Sequence, residues 1–187
     1  PLPSVCVPTT AGTGSEVTKN AVLGSPEHRV KVSLRSERMF PNLAILDPRL
    51  TFPAPASVTA ASGLDALSQL IEPFVSRFAN PFTDGLCREG MALIARSLRA
   101  CVERPEDLDA RADVLLAANF SGIALAHAKL GAVHGFAGPL GGFYGASAPH
   151  GMICARLLPG VMRVNLGRAD DRLRERFAEV ARILTGQ

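Results

Sequence analysis

The chain has 187 residues, 47% hydrophobic and 20% charged, which is enough apolar content to bury a core and too much for a disordered segment. Its net charge of +3 is spread along the chain, aromatics are 5% and Trp is absent, which argues against nucleic acid as the main partner. The longest uncharged stretch, Leu130–Ala155, holds seven Gly, two Pro and two His, so it reads as a buried or ligand-facing turn region and not as a membrane helix. The four cysteines form no CxxC pair and are expected as free thiols in a reducing, cytoplasmic setting.

The first 55 residues carry eight of the 14 prolines and read as short strands between turns. Strands are expected at Leu2–Val7 and Leu43–Leu46. A hairpin is expected from Thr18–Leu23 and Arg29–Leu34, turned by Gly24–Ser25–Pro26. His28 then falls at a solvated turn. From Ser57 the apolar period becomes helical. Helices are predicted over Ser57–Ile71, bent or ended by Pro73, and over Thr83–Val102, Asp109–Ala128 and Asp170–Leu184. The third is apolar all round and belongs inside a bundle. Arg163–Arg182 alternates with Asp and Glu and reads as a salt-bridged surface. The fold class is therefore mixed: a small β-rich piece, residues 1–55, leads into an all-helical piece, residues 56–187. Both ends read as cuts through a longer protein.

Three segments could carry chemistry. Pro8–Glu16 follows a strand and offers hydroxyls, free amides and two glycines to phosphate or ribose oxygens. A tight turn whose hydroxyls satisfy their own backbone is the competing reading. In Gly63–Glu72, Asp65 and Gln69 lie four apart on one helix face, and Glu72 lies seven on. A buried acid there calls for a cation or a donor; a bond to backbone or Arg would meet the same need. Val133–Gly151 places His134 and His150 before glycines, with His127 close by. They are either satisfied core histidines or ligands of a metal held from separate segments.

As a set, PTTAGTGSEVT at Pro8–Thr18, GLDALSQLIE at Gly63–Glu72, and VHGFAGPLGGFY with PHG in Val133–Gly151 resemble the iron-containing (group III) alcohol dehydrogenases, which share a dehydroquinate synthase-like fold. The resemblance implies that residues 1–55 are the C-terminal edge of an α/β dinucleotide-binding domain and residues 56–187 an all-helical metal and substrate domain, with the active site between them. It implies that Thr9, Thr10, Gly12, Thr13 and Lys31 contact NAD or NADP. It makes Asp65, His134 and His150 three of four ligands for Fe(II) or Zn(II).

The chain departs from the family at two places. Gln69 stands where the fourth ligand is a histidine, so it is expected to be a weak ligand and metal binding to be looser. Gly138 stands where a histidine credited with proton transfer is found, leaving His127 or water as the relay. The implied activity is hydride transfer between a nicotinamide and a small alcohol, aldehyde or keto substrate, in a homodimer, with neither nucleic acid nor membrane as partner. The alternatives are a metal-independent reductase of the maleylacetate reductase type and a non-catalytic homologue. The upstream phosphate loop is absent from the chain, which alone is not expected to turn over substrate.

Overall fold

The computed structural model describes residues 2–187; Pro1 lies outside the described residues. Four short strands come first: β1 (Val5–Cys6), β2 (Asn20–Ser25), β3 (Val30–Arg35) and β4 (Leu43–Ala44). β1 and β4 pair in parallel, Val5 opposite Leu43. β2 and β3 form an antiparallel hairpin, Asn20 opposite Arg35. The hairpin turns at Pro26–Arg29, later than expected, and Arg29 adopts a positive φ of 50° there. His28 is an exposed turn residue whose Nδ1 bonds the Ser25 hydroxyl at 2.9 Å.

Helices α1 (Ala56–Phe74), α2 (Pro81–Glu103) and α3 (Leu108–Ala128) pack together as a bundle. α2 begins two residues before its expected start, because Asn80 and Thr83 form a reciprocal capping box with Pro81 just inside. The Asp107 carboxylate caps α3 by accepting from the Ala110 amide at 3.1 Å. As its all-round apolar pattern required, α3 is central: Val114, Leu115, Ala117, Ala118 and Ala124 are all buried. With Leu70, Phe74, Met91 and Ile94, all of these but Leu115 form the main core. Each large side chain there contributes about 1.5–3 kcal/mol by leaving water.

The glycine-rich stretch expected as turns instead forms two helices, α4 (Ala132–Tyr144) and α5 (His150–Gly167). Glycine weakens an isolated helix by about 1 kcal/mol relative to alanine, so local preference pointed the other way. Tertiary contacts reverse it. A Cβ on Gly142 would lie 2.7 Å from the Lys31 backbone nitrogen, and one on Gly151 would overlap the Ala61 carbonyl. The bare backbone lets β3 lie on α4 and α5 lie on α1. Val133, Ala137 and Cys154 form a small second core between α4 and α5.

α6 (Asp171–Thr185) starts with the Asp170 carboxylate accepting from the Leu173 amide at 2.8 Å. Its basic residues are not all solvated, as the charge pattern had suggested. Arg176 lies 4.0 Å from the centre of the Phe74 ring, donates to the Phe74 carbonyl at 2.6 Å and pairs with Asp84. No single helix among the described residues is long and apolar enough to cross a membrane. All four cysteines are free, and Cys87, Cys101 and Cys154 are buried.

Candidate metal centre

Asp65 and Glu72 stand on the inner face of α1, 2% and 3% exposed. Burying two carboxylates costs several kcal/mol each unless positive charge or donors compensate. Among the described residues their ion-pair partners are imidazoles alone. His134, in the first turn of α4, places Nδ1 2.6 Å from Glu72 Oε2 and Nε2 3.3 Å from Asp65 Oδ1. Glu72 Oε1 also accepts from the Val133 amide at 2.8 Å, so one carboxylate fixes both the start of α4 and the ring of His134. His150, the first residue of α5, places Nε2 3.6 Å from the same Asp65 Oδ1.

Cys154 lies one helical turn beyond His150, fully buried. Its Sγ is 3.8 Å from His134 Nε2 and 3.7 Å from His150 Nε2. One ligand atom from each of Asp65, His134, His150 and Cys154 lies within 4.8 Å of the others. Oxygen, nitrogen and sulfur in this grouping suit a transition-metal dication, so the donor set fits the ion that the resemblance implies.

The electrostatics of these groups reflect the same crowding. Burial disfavours the charged form of His134, but its bonds with Asp65, Cys154 and Glu72 outweigh that and raise its pKa to about 11. Burial lowers the pKa of His150 and raises that of the Cys154 thiol.

Gln69 is beside the group but turned within it. Its Oε1 accepts from the Ser121 hydroxyl at 3.0 Å, and its Nε2 donates to Asp65 Oδ2 at 3.1 Å. It therefore presents a donor to Asp65, with its ligand-capable oxygen engaged elsewhere.

A cleft of about 540 Å³ opens over these residues. Thr13 from the N-terminal loop, Lys31 from β3, and Gln69, His134, Gly138 and His150 from the helices share its lining. Thr9 is exposed, Thr10 faces a separate crevice with Thr59 and Arg111, and Gly12 is buried with its carbonyl 3.5 Å from the Ser121 hydroxyl. The loop is anchored by Glu16, which is buried and accepts from Asn119 at 2.9 Å. His127 is not brought to the cleft: it is exposed at the end of α3, edge-on to Phe82 with ring centres 5.9 Å apart.

Two participants escaped the reading of the residues. Cys154 is four residues after His150, the same helical spacing that paired Asp65 with Gln69, but it was hidden by reading the region as turns. Glu72 was placed on the right face without a partner, because its partner lies 62 positions away.

The family model of the Fe-containing alcohol dehydrogenase C-terminal region matches residues 59–187, and that of iron-containing alcohol dehydrogenase matches residues 1–48. The chain belongs to the iron-containing alcohol dehydrogenase family. As a member of it, the chain is 43% identical over 185 residues to the 1,3-propanediol dehydrogenase of Klebsiella pneumoniae, covering 98% of this chain and 46% of that protein. The solved alcohol dehydrogenase from Oenococcus oeni superposes with a TM-score of 0.91 at 43% identity, over 99% of this chain and 46% of that one. The sulfoacetaldehyde reductase of Bifidobacterium kashiwanohense, solved in complex with NAD+, gives 0.82 at 36% identity, over 88% and 43%. The chain spans about half the length of the relatives it matches.

Proposed function

We propose that the intact protein is a metal-dependent NAD(P) oxidoreductase that interconverts a small alcohol and its aldehyde or ketone. The observation that carries this is the convergence of Asp65, His134 and His150 from three helices, with the two histidines lining a cleft that Thr13 and Lys31 also line. These three residues would hold Fe(II) or Zn(II). When bound, the cation supplies a Lewis acid for the substrate oxygen, and the nicotinamide gives or takes the hydride.

The chain's own residues prepare that site. Glu72 accepts a hydrogen bond from His134 Nδ1, which would leave Nε2 to a bound cation; without a cation, Nε2 is protonated and donates to Asp65. Gln69 donates to Asp65 Oδ2 and leaves Oδ1 facing both imidazoles. Lys31 lies over α4 at Gly141, where its ammonium would meet a ribose or phosphate oxygen. Thr13 would line the dinucleotide from the opposite side, whereas Thr9, Thr10 and Gly12 of the same loop do not line the cleft. Gly138 has no side chain to move a proton and His127 is elsewhere, so the alcohol proton would leave through water in the cleft. In this reading residues 1–55 close the dinucleotide domain and residues 56–187 form the metal and substrate domain. The NAD+ complex of the reductase relative supports the cofactor class.

Metal analysis of the intact protein, purified anaerobically without chelator, tests the reading beside its Asp65→Ala variant. About one Fe or Zn per chain is expected in the parent, with metal and turnover lost together in the variant. An Asp65→Ala protein that keeps both would overturn it. One observation favours a metal-independent reductase: the donor that Gln69 turns toward Asp65 stabilises a carboxylate without any ion. Turnover that survives exhaustive chelation would select that second reading.

A further inference from the structure

We propose that Cys154 is itself a ligand of the cation, which is then held by one oxygen, two nitrogens and one sulfur from Asp65, His134, His150 and Cys154. The proposal rests on the reading that these residues bind a divalent cation. It adds a donor that the family resemblance did not point to.

The first support is distance. With bonds of about 2.3 Å to sulfur and about 2.0–2.1 Å to nitrogen and oxygen, a tetrahedral ion separates S from N by about 3.6 Å and O from N by about 3.3 Å. Sγ lies 3.8 and 3.7 Å from the two Nε2 atoms, and Asp65 Oδ1 lies 3.3 and 3.6 Å from the same atoms. Four of the six separations between donors are thus close to those a tetrahedral ion sets, and the other two lie within 4.8 Å.

The second is the absence of any other employment for the sulfur. Cys154 is fully buried, and among the described residues its polar contacts are the two imidazole nitrogens and the Asp65 carboxylate, all members of the same group. Cys87 and Cys101 lie instead within the main core. The third is Gln69, whose amide oxygen is taken by Ser121 and whose nitrogen faces Asp65. Exchanging the two ends of that amide would set oxygen against carboxylate oxygen, so Gln69 does not complete the set.

Within the ligand set, a carboxylate and a thiolate match the charge of a dication, with Glu72 behind His134 adding a third negative charge; the thiol proton leaves to solvent as the sulfur–metal bond forms, with no change of oxidation state. A thiolate favours zinc and cobalt over hard ions such as magnesium.

Cobalt(II) titration of the metal-free intact protein under nitrogen tests this by absorption. The parent is expected to bind cobalt with a near-ultraviolet thiolate-to-cobalt band. Cys154→Ser should still show the visible cobalt bands, lack the near-ultraviolet one and bind at least ~10-fold more weakly. A parent that binds cobalt without that band, or a Cys154→Ser protein that keeps it, overturns the role of Cys154 and leaves the three-residue cation site standing. A parent that binds no cobalt overturns both. If Cys154→Ser fails to fold, X-ray absorption of the zinc-loaded parent decides instead: a sulfur neighbour at about 2.3 Å supports the proposal, and nitrogen and oxygen alone overturn it.

Discussion

Asp65, Gln69 and Glu72 stand on a helix whose inner face is sealed by α2 and α3, whereas His134, His150 and Cys154 stand on two glycine-rich helices that share a core of only three buried residues. The carboxylates are nearly inaccessible; the His150 side chain is 35% exposed. The contrast separates two tasks. Buried negative charge needs a rigid, low-mobility setting, because any loss of its partners is expensive. The imidazoles must face both the carboxylates and the cleft, and helices at the margin of the bundle can do that. The two halves meet where Gly151 lets α5 touch α1 and where Glu72 holds the start of α4.

Damage to each half should therefore read out differently. Phe74→Ala removes the largest fully buried side chain, against which Arg88 and Arg176 both stack. It should lower unfolding free energy by about 3–5 kcal/mol, seen as a lower urea midpoint. Gly151→Ala strikes the seam, since the new methyl would overlap the Ala61 carbonyl. Stability should fall by about 1–3 kcal/mol. Zinc affinity of the intact protein, measured by chelator competition, should fall as well, because α5 must carry His150 and Cys154 away from Asp65. Unchanged affinity would show that the seam does not set the site. Val133→Ala, in the small core, deletes two methyls from a fully buried residue beside His134. A loss of about 1–2 kcal/mol is expected in a urea titration, with a measurable loss of zinc affinity. In that respect it should be the reverse of Phe74→Ala, whose cost falls on the fold.

The same division explains what the residues disclosed. α1, α2, α3 and α6 were legible because periodic apolar faces answer to a large core, and their caps, such as Asp170, are local. The hairpin and the places of β1 and β4 were legible from apolar runs between turn residues, but the parallel pairing of β1 with β4 was not. α4 and α5 were not, since their glycines serve contacts with Lys31 and Ala61, more than 80 positions away in each case. Local propensity carries no record of such contacts. The histidines were visible as residue types, and their convergence on Asp65 came into view through the resemblance. The turn of Gln69 toward Ser121 depends on a hydroxyl 52 positions away, and no local pattern contains it.

The smallest effect concerns charge within the bundle. Asp113 on α3 accepts from Arg96 at 2.7 Å and from the Ser97 hydroxyl at 2.5 Å, both on α2. The Arg96 bond holds its carboxyl below the usual range, burial opposing and Ser97 assisting. A carboxyl lowered in the folded state binds its proton more readily when unfolded. Its contribution is therefore complete above the unfolded value of about 3.9 and is lost as pH falls through the lowered folded value. Because Arg96 is 60% exposed, that contribution is expected to be at most ~1 kcal/mol. Urea midpoints at neutral pH and near pH 3 should therefore differ less in Asp113→Asn than in the parent. The pair joins α2 to α3 on the far side of the bundle from α5, so zinc affinity at neutral pH should be unchanged in this variant. A fall in that affinity would mean that the main bundle also governs the imidazole half, and the two halves would have to be treated as one mechanical unit.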